Sequence, residues 1–339
     1  MNDRNGILAG GNWIVDQVKT VDRWPEQDAL ANIVGQTRGN GGSPFNILVD
    51  LARLGAGFPL QAAGLTGDDG EGRWIRDVCR RHGIETSQLR ATDRLPTSYT
   101  DVMTVDGTGR RTFFHQRGAN ALLGPEHFDF TASRAKIFHL GYLLLLDRLD
   151  ECEPDGRTGA AQVLAAARAQ GLVTSCDLVS EDSDRFAGIV HAALPETDVC
   201  FLNEFEAART TGVVLRSGDK FFSGRLAEAA RKLLESGVRR AVVLHFPEGA
   251  CVFTAEGASC RQGSVKLPAD LLRGAVGAGD AFAAGVLLAL HNNLGWDEAL
   301  RYGVCAAASS LTHPTCSDGI KSMDDCLALG RTHGFRAAF

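Results

Sequence analysis

The sequence predicts an α/β fold with a mostly parallel central sheet covered by helices. Short apolar runs alternate with amphipathic stretches for most of the 339 residues, the pattern of strand–helix units that stack into layers. Apolar residues make up 44% of the chain, enough for a large core. Glycines follow the amphipathic stretches where helix C-caps belong: Gly55, Gly83, Gly171, Gly212 and Gly237.

Taken in order, the strands expected are Ile7–Ala9, Leu60–Ala63, Ile137–Leu140, Val173–Cys176, Val199–Leu202 and Ala241–Leu244. Each is a short apolar run bounded by polar or turn residues. The helices expected are Phe45–Leu54, Gly72–Arg81, Gly159–Ala169, Leu226–Glu235, Asp280–His291 and Asp297–Ser310, on helical spacing of apolar positions. One region breaks the alternation. Ser98–Val105 and Arg111–Gln116 are rich in β-branched and aromatic residues, and Asp106-Gly107-Thr108-Gly109 between them is a hairpin signal. A second irregular stretch, Ile14–Thr37, separates the first strand from the first helix. No internal repeat or low-complexity segment is present. The length suits one large α/β domain with a small appendage, or two modest domains.

Composition narrows the function classes. The net charge is −6 and the basic residues are scattered, so generic nucleic-acid binding has little electrostatic support. No apolar stretch is long enough to span a bilayer, and Met1-Asn2-Asp3-Arg4-Asn5 begins no signal peptide. The nine cysteines include no Cys-x-x-Cys pair and read as separate reduced thiols. A soluble cytoplasmic protein is expected.

The most informative string is Gly277-Ala278-Gly279-Asp280, followed by Ala281-Phe282-Ala283-Ala284-Gly285 and an apolar run to Leu290. Two glycines let the amides of a tight turn converge, and the helix after them adds free N–H groups and a partial positive charge. That geometry suits an anion, above all a phosphate gaining charge during transfer. Asp280, on the first turn, is placed to take a proton from an attacking hydroxyl. The local string is equally compatible with a plain turn whose acid the helix dipole favours. The string does not match a dinucleotide fingerprint, whose third glycine would fall on Phe282, and no Gly-Lys pair exists for a P-loop.

Other strings appear in a fixed order: Gly41-Gly42-Ser43-Pro44-Phe45-Asn46, Gly64-Leu65-Thr66-Gly67-Asp68-Asp69-Gly70, Pro96-Thr97-Ser98, Arg117-Gly118-Ala119-Asn120, Asn203-Glu204-Phe205-Glu206 and the Gly-Ala-Gly-Asp turn. Together they resemble the ribokinase-like (PfkB) sugar kinases over nearly the whole chain. The resemblance implies a ribokinase-like, Rossmann-type three-layer sandwich as a single domain over residues 1–339. It also implies a small β-sheet lid, formed by about 14–38 and 96–119, that pairs with its twin in a homodimer. An edge hairpin of the main sheet is the competing reading of that region.

By the same resemblance a sugar hydroxyl attacks the γ-phosphate of ATP, with Asp280 as base and Gly277, Ala278 and Gly279 as the anion hole. Asn203 and Glu206 match the magnesium-linked motif, acting on Mg2+ through water. As residues alone they also read as a helix N-cap and its capping box. Asp16, Gly42 and Asn46 match the sugar-binding positions. Arg117, at the end of a lid strand, either faces the acceptor or lies on the surface. Gly249 ends the stretch that matches the nucleotide-side Gly-x-x-Gly.

Two positions depart from the pattern. Gly274 and Ala275 stand where the family carries Asp-Thr, whose aspartate helps build a monovalent-cation site, so potassium is expected to matter less here. Phe246 replaces the first glycine of Phe246-Pro247-Glu248-Gly249, which implies a reshaped nucleotide pocket. Gly-Gly-Ser-Pro-Phe-Asn is nearer the fructokinase string than the ribokinase one, so a small sugar, first of all a ketohexose, is the expected acceptor. Asp177-Leu178-Val179-Ser180-Glu181 lacks the Asn and Arg of keto-deoxygluconate kinases. A nucleoside or sugar-acid kinase, or a catalytically silent sugar- or nucleotide-binding regulator, remains the alternative. A nicotinamide dehydrogenase lacks its fingerprint.

Overall fold

The computed structural model describes residues 4–108 and 110–339. Met1, Asn2, Asp3 and Gly109 lie outside the described residues, and with them most of the N-terminal reading and the last glycine of the hairpin signal.

The strands in chain order are β1 (Ile7–Gly11), β2 (Ile14–Val21), β3 (Ile33–Gly41), β4 (Leu60–Gly67), β5 (Glu85–Thr92), β6 (Ser98–Val105), β7 (Arg111–Gln116), β8 (Ile137–Leu143), β9 (Val173–Leu178) and β10 (Val199–Asn203). A two-stranded ribbon, β11 (Arg216–Ser217) and β12 (Lys220–Phe221), precedes β13 (Ala241–Phe246), β14 (Gly249–Thr254) and β15 (Ser259–Gly263). The helices are α1 (Ser43–Leu54), α2 (Gly70–Arg81), α3 (Asp147–Asp150), α4 (Gly159–Ala169), α5 (Phe186–Ala193), α6 (Glu204–Thr211), α7 (Leu226–Glu235), α8 (Ala278–His291), α9 (Trp296–Ser310) and α10 (Met323–His333).

All six expected strands and all six expected helices are present within these spans. They form a nine-stranded sheet in the order β15-β14-β13-β10-β9-β8-β1-β4-β5. Seven of these strands are parallel to their neighbours, and β14 and β15 add antiparallel pairs at one edge. The sequence reading missed β5, β14 and β15. Along β5 only Leu89 is buried, and along β15 only Gly263. An edge strand keeps most of its side chains in water and so carries no apolar run to read.

Period-two alternation divides the core. Ile7, Ala9, Phe201 and Val243 pack on one face with α1, α8 and α9, while Leu8, Leu202, Val242 and Leu244 pack on the other with α4 and α7. Helices on both faces of a mostly parallel sheet make a three-layer α/β sandwich.

The irregular stretch and the hairpin join as a separate four-stranded sheet, β3-β2-β6-β7, with β2 and β6 parallel and the outer pairs antiparallel. It leaves the main sheet through Asn12 and Trp13, between β1 and β2. The chain order reverses about β1, with β4 and β5 on one side and β8 to β10 on the other. In open α/β sheets ligands bind beyond the C-terminal strand ends at such a reversal.

Candidate active site

Local sequence builds the turn before α8. Gly277 caps the helix at φ 76° and ψ 1°, in the left-handed region, and a Cβ there would lie 2.7 Å from the Cys316 Cβ. Only glycine meets both conditions. The first helical bond runs from Ala281 N to Gly277 O at 2.8 Å. The amides of Ala278, Gly279 and Asp280 therefore have no acceptor within the helix.

Asp280, in the first turn, is buried. Its carboxylate is held from two sides. The Tyr142 hydroxyl, on β8, lies 2.7 and 2.6 Å from Oδ1 and Oδ2, and Asn46 Nδ2, on α1, donates to Oδ2 at 2.8 Å. Asn46 is itself fixed by Asn40 Nδ2 at 2.6 Å, and Asn40 also reaches Ser317 Oγ at 2.8 Å. Burial, then the nearby charge of Asp177, pushes the Asp280 carboxyl well above the usual carboxylate range, while the Tyr142 and Asn46 bonds pull it back. A carboxylate so balanced can both hold and release a proton near neutrality.

Asp16 lies on β2, its Oδ2 3.7 Å from Cys316 Sγ. Burial raises its pKa to about 7, against bonds from Cys316 and Thr100. Cys316 touches both Asp16 and the Gly277 position, so Asp16 and the amide turn are neighbours. Gly42 caps α1 at φ 83°, where a side chain would collide with the Asn12 carbonyl. Asp16, Asn46 and Asp280 therefore converge on one space.

Arg117 follows β7 and precedes the 3-10 turn Gly118–Leu122. Its guanidinium pairs with Asp147 at 2.8 Å and approaches Glu181 at 3.6 Å. Asp147 opens α3 after β8, and Glu181 lies on the loop after β9.

Asn203 ends β10 and forms a complete capping box with Glu206: Oδ1 accepts from Glu206 N at 2.9 Å, and Glu206 Oε2 accepts from Asn203 N at 2.9 Å. Ser180 Oγ donates to Glu206 Oε1 at 2.8 Å. Burial raises the Glu206 pKa to about 8, so without a cation beside it the residue is largely neutral. Asp177, at the end of β9, accepts from Ser43 Oγ at 2.8 Å through Oδ2. Its Oδ1 is buried without a hydrogen bond. The Asp177 charge acts on Asp280, Tyr142 and Glu206 alike. Among the described residues no three His, Cys, Asp or Glu side chains converge as a metal-ion group. Asn203, Glu206 and Asp177 offer the few carboxylate and amide oxygens that the water shell of a polyphosphate-bound magnesium would need.

Behind the turn opens a cavity of about 810 Å³, bordered by Asn203, Phe246, Gly249, Ala278 and Gly279 with apolar walls from Val265 and Leu267. Phe246 is buried, and its ring packs against Phe221 and Phe339 with centroids 4.5 and 4.7 Å away. That aromatic cluster absorbs the bulk that replaces glycine. His245, the preceding residue, approaches the turn: a Cβ on Gly279 would lie 3.2 Å from its Cε1.

Sequence reasoning missed Tyr142, Asn40, Ser317 and Asp177 as parts of this site. The available signals were positional. Tyr142 and Asp177 both sit at the C-terminal ends of parallel strands, where ligand-binding groups collect.

A family model described as pfkB family carbohydrate kinase matches residues 7–323. A probable fructokinase-7 of Arabidopsis thaliana is 28% identical over 336 residues, covering 94% of this chain and 90% of that protein. An ATP-dependent ribose-1-phosphate kinase of Halopiger xanaduensis is 28% identical over 305 residues, covering 90% of this chain and 91% of that one. Among solved structures, Arabidopsis thaliana ribokinase complexed with ribose and ATP superposes with a TM-score of 0.78 at 20% identity, over 96% of this chain and 98% of that chain.

Proposed function

The chain belongs to the pfkB family of carbohydrate kinases, phosphotransferases with a hydroxyl acceptor, and on that premise we propose that it transfers the γ-phosphate of ATP to a ketohexose with Asp280 as general base. The observation that carries this reading is the Asp280 carboxylate, buried at the mouth of the amide turn and gripped by Tyr142 and Asn46. A silent binding protein has no use for a buried acid poised in this way.

In the reaction the acceptor hydroxyl, oriented by Asp16 and Asn46 against the backbone at Gly42, gives its proton to Asp280. Its oxygen forms the new bond to the γ-phosphorus as the bond to the bridging oxygen of the diphosphate breaks. The amides of Ala278 and Gly279 face the charge that develops, at the helix N-terminus. Magnesium supplies charge neutralisation on the triphosphate, and Asn203, Glu206 and Asp177 are the residues that would hold its water shell. The cavity beside Phe246 and Gly249 takes the nucleotide. The small sheet acts as the lid that keeps water from competing as acceptor, and two copies of the chain associate through it. Nine unpaired thiols suit a reducing compartment, and we take the cytoplasm as its place.

The fructokinase relative and the Gly-Gly-Ser-Pro-Phe-Asn string support the ketohexose. Arg117 is already neutralised by Asp147 and Glu181, which disfavours an acidic acceptor at that position. An ADP-release assay over ketoses, aldoses, sugar acids and nucleosides tests the reading. The highest kcat/KM is expected for a ketohexose, and Asp280→Asn should cut turnover roughly a hundred- to ten-thousandfold with ATP affinity unchanged. Near-normal turnover in that variant would remove Asp280 from the mechanism.

A further inference from the structure

Among the described residues, one guanidinium beside the Gly277–Asp280 turn has no ion pair or side-chain hydrogen bond. Arg111 opens β7 opposite Thr104 on the neighbouring strand, and it is only partly exposed. The ion pairs and side-chain hydrogen bonds among the described residues engage Arg117, Arg148, Arg185 and Arg216, whereas none engages Arg111. Burial lowers its pKa from the usual arginine value, opposed only by the neighbouring Cys316 thiol. A half-buried cation without an anion is unfavourable unless an anion arrives during function.

The side chain reaches from the small sheet to the turn. A Cβ built on Gly274 would lie 3.1 Å from Arg111 Nη2, 2.8 Å from the His313 carbonyl oxygen and 2.9 Å from the Pro314 Cα. Position 274 therefore has no room for an aspartate. The space is closed by the backbone at 313–314 on one side and by the guanidinium on the other. Gly274 is followed after two residues by Gly277, and Cys316, the neighbour of Arg111, touches both Gly277 and Asp16. A permanent positive charge thus stands next to the amide turn at the place from which an acidic side chain is missing.

We propose that Arg111 is a catalytic residue, a guanidinium carried by the small sheet that pairs with the phosphoryl group in transfer. It takes over beside the turn the charge neutralisation that a monovalent cation would otherwise supply. The proposal rests on the kinase reading for its substrate, while the geometry is that of the chain alone. Arg111 neither gains nor loses a proton in the step. The acceptor oxygen bonds to the γ-phosphorus, the bridging oxygen leaves with the diphosphate, the proton passes to Asp280, and the guanidinium faces the charge on the non-bridging oxygens. Because the cation rides on the small sheet, transfer is fastest only when that sheet is seated, which ties the exclusion of water to the chemical step.

Three proteins decide the matter: wild type, Arg111→Gln and Arg111→Lys. Turnover of the glutamine variant should fall roughly a hundred- to thousandfold, the scale of one removed transition-state donor, with the sugar KM within about threefold. The lysine variant should recover part of the loss, and added guanidinium ion should restore the glutamine variant saturably. Wild-type rates should be equal in potassium and tetramethylammonium salts at fixed ionic strength. A second measurement is independent of any acceptor: binding of ADP, magnesium and aluminium fluoride, a planar anion in the position of the phosphoryl group. Arg111→Gln should weaken that complex about a hundredfold and leave ADP alone unchanged. A glutamine variant with near wild-type turnover, a loss confined to the sugar KM, a large potassium activation of wild type, or fluoride-complex binding indifferent to Arg111 would each overturn the proposal. A wild type that binds the complex through Arg111 yet turns over no acceptor would sink the kinase reading and the catalytic role of Arg111 with it, leaving only the pairing with an anion.

Discussion

At the scale of single residues, the Tyr142 hydroxyl decides how basic Asp280 is. Its bond lowers the Asp280 pKa against burial and the charge of Asp177. Tyr142 itself stays protonated, because burial and then Asp280 raise its own pKa far above that of an ordinary phenol. Removing the hydroxyl in Tyr142→Phe leaves the carboxylate only the Asn46 donor. The Asp280 pKa then rises, more of the base is protonated at neutral pH, and the acid limb of the kcat/KM profile moves to higher pH by about one unit. Turnover at pH 7 should drop roughly fivefold, since a rise of about one unit from about 7 takes the ionised fraction from about one half to about one tenth. A pH–rate profile of the variant with an unmoved acid limb would assign Tyr142 to packing alone. Asp280 was legible in the sequence because its turn, helix and acid are contiguous. Tyr142 was not, being 138 residues away along the chain.

At the scale of elements, the small sheet is the part whose surface is unfinished. Its order places β3 and β7 at the edges, and the first six residues of β3 are exposed on both faces. Phe113 and Phe114, consecutive on β7 and so on opposite faces, are 57% and 53% exposed, and Ile33 and Val34 are 53% and 59% exposed. Trp24 stacks on Phe114 with centroids 6.2 Å apart. Uncovered apolar edge strands favour pairing with another chain, which supports the second copy proposed above. Sedimentation of wild type should give a dimer, and Phe113→Glu combined with Val34→Glu should shift it to monomer at micromolar concentration. A monomeric wild type would exclude the arrangement. The hairpin was readable from its β-branched residues and its Asp-Gly turn. Strand β3 was not, because Gly35-Gln36-Thr37-Arg38-Gly39-Asn40 carries no alternation; its pairing with β2 makes it a strand.

At the scale of the whole molecule, the site collects buried acids, and that sets the pH dependence of stability. The folded-state pKa values of Asp16 and Glu206 are raised to about 7 and about 8, whereas an unfolded chain titrates these groups near about 4. A raised carboxyl binds its proton in the folded state over a window where the unfolded state has lost it. Stability therefore falls as pH rises through that window and is recovered as pH falls. His245 and His115 oppose this below about 6.5, since burial lowers both to about 4 and the unfolded imidazoles take up protons first. The melting temperature of the ligand-free protein should climb by a few degrees from about pH 8 to about 6.5 and more slowly below, where the two histidines oppose Asp16, Asp280 and Glu206. A flat or falling trend over the upper interval would mean that these acids are not buried as protonated groups.

Strand–helix alternation, the hairpin of the small sheet and the Gly277–Asp280 turn with its helix are legible in the linear chain. These follow from side-chain periodicity and backbone hydrogen bonding between near neighbours, which a linear string records directly. The tertiary structure decided which groups meet at the turn. Asn46 reaches Asp280 across 234 residues, because helices α1 and α8 pack on the same face of the sheet. Tyr142 reaches it because β8 lies beside β1 at the reversal of strand order. The same packing turned Arg117 onto Asp147 and Glu181 and brought Arg111 against Gly274. A charged side chain is long enough to face several neighbours, and only the folded chain determines which counter-charge, or none, stands within its reach.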